Sequence, residues 1–151
     1  MDATVHDVAK YILEKTGTVS AMKLQKLLYY CQAWSLVWDD RPMFPEAIEA
    51  WTNGPVVREV YDLHRGLFAV SAWPRGNTTN LDDDARETID IVLDFYAKHN
   101  AQWLSDLTHA EDPWNDAREG LDPDVRGERK ISLASMMEYY SSLPSNHAET
   151  Q

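Results

Sequence analysis

Val5, Val8, Ala9, Ile12 and Leu13 follow one another at steps of three, one, three and one, which keeps them on one face of an α-helix. Gly17 stands where such a helix stops, so the pattern predicts an amphipathic helix over residues 4–16. Ser20 then caps a second helix from Ala21 to Trp38, with Leu24, Leu27, Leu28, Cys31, Trp34 and Trp38 in helical register. Tyr29, Tyr30, Leu36 and Val37 fall off that face. A helix apolar on several sides is covered on several sides, which makes this one the expected centre of the core.

Asp39-Asp40-Arg41-Pro42 breaks the helix, and Met43-Phe44 and Ala47–Trp51 read as short extended segments separated by Pro45, pairing as a small hairpin. Asn53-Gly54-Pro55 reads as a helix restart, since Asn caps and Pro suits a first turn. Val56, Val60 and Leu63 then line a face up to Gly66. Residues 69–80 have loop chemistry and no period, the signature of a mobile connection. Asp82-Asp83-Asp84 opens the strongest helix signal, continued by Ala85, Ile89, Val92, Leu93 and Tyr96; acidic groups in a first turn complement the helix dipole. A shorter helix fits residues 101–109 with Trp103, Leu104 and Leu107 inward. Asp112-Pro113 starts another turn carrying Trp114 and Ala117, residues 119–130 form a loop, and Ser132 caps a last helix packed through Leu133, Met136, Met137 and Tyr140. The expectation is a mainly α fold: one compact helical domain over residues 1–143, of about six helices with a small β-hairpin element, and a polar tail at 144–151.

Composition sharpens this in one respect. Residues 1–78 carry nine acidic and eight basic side chains, and residues 79–151 carry sixteen and six, so nearly all of the net charge of −11 lies in the second half. Such a field repels phosphate backbones and would speed encounter with a basic protein. No direct nucleic-acid contact is expected. With no long apolar run and no signal-like N-terminus, no membrane contact is expected and the location read is cytoplasmic. Cys31 is the only cysteine, and its apolar surroundings suit a buried thiol.

The residues offer little convergent chemistry. None of the five histidines has another three or four positions away, and no paired Cys-x-x-Cys, glycine-rich phosphate loop or Gly-x-Ser-x-Gly turn occurs. Three adjacent aspartates point in different directions, which suits a capped helix better than a metal cage. No enzyme activity, metal or cofactor is expected. His109, in Leu107-Thr108-His109 ahead of Pro113-Trp114, reads as a corner clamped by Trp114; the competing reading is a hydrolase pairing His109 with Glu111 or Asp112.

Three blocks carry a family resemblance. Met22-Lys23-Leu24-Gln25-Lys26-Leu27-Leu28-Tyr29-Tyr30-Cys31-Gln32-Ala33-Trp34 resembles the first conserved helix of Panacea-domain (SocA-like, formerly DUF4065) proteins. Phe44 with Ile48–Tyr61, containing Ala50-Trp51 and Gly54-Pro55-Val56, resembles their second block, and Leu107-Thr108-His109 with Pro113-Trp114 their third. The order and intervals match over roughly residues 4–141, with departures mainly at 66–80 and 117–131, where partner preference would differ. The resemblance implies a bacterial or prophage antitoxin, which neutralises a cognate toxin, often a translation inhibitor, by direct contact. An adaptor delivering a partner to an energy-dependent protease would share every block. Within this frame Leu24, Leu27, Trp34, Gly54, Pro55, Val56, Thr108, His109, Pro113 and Trp114 are the structural signature. Lys23, Gln25, Lys26, Tyr29, Trp51, Arg58, Glu59 and Tyr61 are the expected toxin contacts, on the argument that polar ends reach solvent and that Tyr and Arg anchor interfaces. Exposed aromatics would also support a homodimer.

Overall fold

A computed structural model describes residues 2–143; the tail read at 144–151 lies outside them. Among these residues there are seven α-helices and two two-stranded antiparallel sheets, the mainly α fold expected, with a second sheet that the pattern did not show. None of the helices is long and apolar enough to cross a membrane.

Helix α1 (Val5–Thr16) begins with a reciprocal cap, the Thr4 amide donating to Asp7 Oδ2 at 2.8 Å. Helix α2 (Ala21–Trp38) starts at Ser20, whose hydroxyl accepts from the Lys23 amide at 3.0 Å. As its many-sided apolar pattern predicts, α2 is the central element. It packs on α1, on α3 (Arg58–His64), α4 (Asp83–Tyr96), α5 (Ala101–His109) and α7 (Leu133–Ser141). Leu24, Leu27, Leu28, Tyr30 and Cys31 are completely buried in it. Burial pushes the Cys31 thiol far above its ordinary pKa, leaving an inert apolar filler.

The hairpin keeps one of the two expected strands and exchanges the other. Strand β2 (Glu49–Trp51) pairs with β3 (Gly54–Val56), in the register Glu49↔Val56, Ala50↔Pro55, Trp51↔Gly54. Asn53-Gly54-Pro55 is therefore turn and strand rather than a helix start, and α3 begins only at Arg58. Met43-Phe44 is not a strand: its backbone bonds to a side chain, with Gln32 Oε1 accepting from both amides (2.7 and 3.2 Å) and Gln32 Nε2 donating to the Phe44 carbonyl (2.9 Å). On the outer edge of β2, the returning chain adds two bonds, Ala50 N to Arg129 O and Ile131 N to Ile48 O, both 2.8 Å.

The connection at 69–80 is pinned, not loose. β4 (Ala69–Val70) pairs with β1 (Val19–Ser20), Trp73 is buried, and Thr78–Asn80 form a short 3-10 turn. The pin is polar. His6 Nδ1 accepts from the Trp73 indole at 3.1 Å, which puts the imidazole proton on Nε2, facing Glu59 at 3.0 Å. Asp7 Oδ1 accepts from the Asn77 amide at 2.6 Å.

Asp82 caps α4 by accepting from the Ala85 amide at 2.9 Å, and also pairs with Arg41. Asn100 caps α5 and Ser132 caps α7 in the same way. Helix α6 (Asp112–Ala117) has Pro113 in its first turn. Two residues read as inward are not: Trp103 is 40% exposed, stacked on His99 at 3.4 Å, and Leu133 is exposed.

Candidate functional site

The first and third sequence blocks send side chains to the hairpin built by the second. Gln25, one turn into α2, holds the chain that follows it: its Oε1 accepts from the Val57 amide at 2.8 Å and its Nε2 donates to the Val57 carbonyl at 3.2 Å. The same amide lies 2.9 Å from His64 Nε2. Lys26 runs beneath the hairpin, with Nζ donating to the Pro55 carbonyl at 3.3 Å. From the other side, Ser105 Oγ donates to the Asn53 carbonyl (2.6 Å) and the Trp114 indole to the Trp51 carbonyl (2.8 Å).

Gln25 and Lys26 are thus buried, Lys26 to 99%, against the expectation that their polar ends reach solvent. They are inside because the hairpin offers carbonyls and an amide that would otherwise be orphaned. Burial without a carboxylate partner pulls the Lys26 ammonium down to a pKa of about 7. His64, desolvated as well, is shifted down from its ordinary value.

Outside this frame is a cleft of about 570 Å³, within the range of ligand-sized sites. The buried Gln25 and Lys26 form part of its floor, Trp51, Val56 and Tyr61 line it as well, and the exposed Met22, Leu67 and Phe68 form a lip. Phe68 is 86% exposed, and Leu67 and Met22 are exposed beside it. The Trp51 ring meets the Tyr61 edge at 4.8 Å and carries the Arg126 guanidinium 3.7 Å above it.

The other expected contacts spread around the fold. Lys23 caps α4 from outside, Nζ to the Ala97 carbonyl at 2.5 Å. Tyr29 is buried, its hydroxyl 3.0 Å from that of Tyr140. Arg58 pairs with Glu49 at 3.2 Å and Glu128 at 3.4 Å, and Glu59 faces His6. Trp51 and Tyr61 therefore share the cleft with Gln25 and Lys26, while Lys23, Tyr29 and Glu59 point elsewhere. Sequence reading missed Met22, Arg65, Leu67, Phe68 and Arg126. The signal available was their position: all but Met22 lie in or next to the two segments that depart from the family pattern.

His109 stacks on Trp114 at 4.0 Å, as expected of a clamped corner. Its Nε2 is buried with no hydrogen-bond partner among the described residues, and desolvation lowers its pKa. The Glu111 carboxylate is taken elsewhere, accepting from Tyr30 and Tyr140 hydroxyls at 2.7 Å each. Of the two carboxylates considered for a pair with His109, Glu111 is thus committed to the two tyrosines.

Burial raises Glu111 from its ordinary 4.5 to about 7. The folded chain then holds this proton at pH values where the unfolded chain has released it, so stability falls as pH rises from about 4.5 to about 7. Glu111→Gln, which retains the acceptor, is expected to flatten that part of the profile and to stabilise the fold at neutral pH by about 1–3 kcal/mol. Urea unfolding at a series of pH values measures it; an unchanged slope would mean that the carboxylate is ionised in place.

The described residues form a small, mainly helical fold with a largely apolar cleft framed by buried polar clasps. The family model described as "Antitoxin SocA-like, Panacea domain" matches residues 24–115, a stretch that contains all three blocks except Met22 and Lys23. The chain is also 30% identical, in an alignment of 131 residues, to Antitoxin SocA of Caulobacter vibrioides (strain NA1000 / CB15N), with 72% of this chain and 66% of that protein covered. It spans, that is, about two thirds of that relative's length. No solved structure matches it. The chain belongs to the SocA-like antitoxin, Panacea-domain family.

Proposed function

We propose that the protein is the antitoxin of a toxin–antitoxin pair and that it neutralises its toxin, an inhibitor of translation, by direct contact at the cleft between the hairpin and α2. The observation that carries this reading is the exposed lip of Met22, Leu67 and Phe68 on the cleft that Trp51 and Tyr61 also line. Contiguous apolar surface of this kind, rimmed by polar groups, marks a contact site for another molecule. Aromatic and arginine side chains at its centre are the usual energetic anchors. Occlusion needs no turnover and no cofactor.

The test is co-expression with the product of the adjacent gene. Phe68→Asp, at a side chain with little to lose on folding, is expected to weaken association about thirty-fold or more and to abolish rescue of growth. Lys23→Glu, on the far side of α2, is expected to leave both intact. Rescue by Phe68→Asp together with loss by Lys23→Glu would move the contact surface to the α4 side.

A further inference from the structure

The charge of the cleft is opposite to that of the protein. In a chain of 25 acidic and 14 basic side chains, the cleft is lined by Lys26, Arg65 and Arg126 and by no aspartate or glutamate. Among the described residues, Arg65 and Arg126 form no ion pair. The nearby carboxylate of Glu49 is already engaged by Arg58 and by the Trp51 indole at 2.7 Å. Arg126 instead lies over Trp51, its guanidinium carbon 3.7 Å from the ring centroid, and a guanidinium is suited to a bidentate acceptor. On the floor, Lys26 uses one donor on Pro55, at 3.3 Å.

Resting on the reading of the cleft as the partner site, we infer that it takes a segment of the partner in which a carboxylate side chain flanks an apolar or aromatic one. The apolar side chain fills the space between Phe68 and Trp51, and the carboxylate reaches the Arg65–Arg126 rim. A single-stranded nucleic acid would also find cations and rings here, but it brings a row of phosphates toward a molecule of net charge −11. One or two carboxylates use the local cations without that repulsion. The acidic second half and the cationic cleft then act at different ranges: the first attracts a partner that is basic overall, and the second selects the acidic-apolar segment that docks.

Binding of the adjacent gene's product is measured by calorimetry for the wild-type chain, Phe68→Asp and Arg65→Glu/Arg126→Glu, each checked for fold by circular dichroism, with Arg65→Gln/Arg126→Gln as the milder variant. Both arginine pairs are expected to weaken binding, the glutamate pair by about thirty-fold or more. An Asp→Lys or Glu→Lys change in the partner is expected to restore binding to the glutamate pair while impairing binding to wild type. If Phe68→Asp abolishes binding and both arginine variants bind normally, the acidic segment is refuted and the cleft reading stands. If all three variants bind normally, both fall. Tight binding of an oligouridine that is lost in the glutamate pair would replace the peptide segment with nucleic acid.

Discussion

Arg118→Ala is expected to lower the unfolding free energy by about 3–5 kcal/mol, a large share of the stability of a domain this size. The guanidinium is buried and donates to four carbonyls: Nη1 to Ala50 (2.8 Å) and Arg126 (2.9 Å), Nη2 to Asp122 (3.1 Å) and Val125 (2.5 Å). It thereby ties strand β2 to the loop that carries the Arg126 rim residue. Charge-assisted bonds contribute about 1.5–3 kcal/mol each, but the loop carbonyls rehydrate once released, so the sum is not realised in full. Lysine has the charge without the planar fork and is expected to recover less than half of the loss. Urea denaturation of the three chains is the measurement; a loss below about 1 kcal/mol would show that the loop is held by something other than this side chain.

Gly54→Ala is expected to destabilise the fold by about 2–4 kcal/mol. Gly54 has φ +125°, which side-chain-bearing residues rarely adopt, and a Cβ there would lie 2.6 Å from Lys26 Cε and 3.1 Å from Thr108 Oγ1. The lysine cannot swing aside freely, because it is buried beneath the hairpin. Combining Gly54→Ala with Lys26→Ala separates the two costs: the steric part is recovered in a double-mutant cycle and the backbone part remains. Additive effects in that cycle would mean that the lysine yields easily and that backbone strain accounts for the whole loss.

The helices were legible because their information is local. Ser20, Asp82 and Ser132 cap where a polar residue precedes an apolar run, and the period of α2 continues to Trp38. What was not legible depends on partners distant in sequence. Asn53-Gly54-Pro55 carries signals for both a helix start and a tight turn, and only its pairing with Glu49–Trp51 identifies the segment as turn and strand. β1 and β4 are two residues each, too short for a period, and pair across fifty positions. Gln25 and Lys26 look solvent-facing by chemistry and are buried by the hairpin above them. The candidate site was half visible: Trp51 and Tyr61 stood out as aromatic anchors, whereas Leu67 and Phe68 closed an apparent loop and suggested nothing until β4 placed them over the mouth of the cleft.

The cleft is assembled from two kinds of residue. Its buried lining, Gln25, Lys26 and Val56, belongs to the interior, whereas Arg65, Leu67, Phe68 and Arg126 project from connections and are exposed. Exposed substitutions of this sort usually change stability by no more than about 0.5 kcal/mol. The mouth of the cleft can thus be rewritten without renegotiating the fold: the scaffold tolerates a new lip as a tool handle tolerates a new bit, and mutational drift at these outward positions reshapes the cleft while the clasped interior stays as it is.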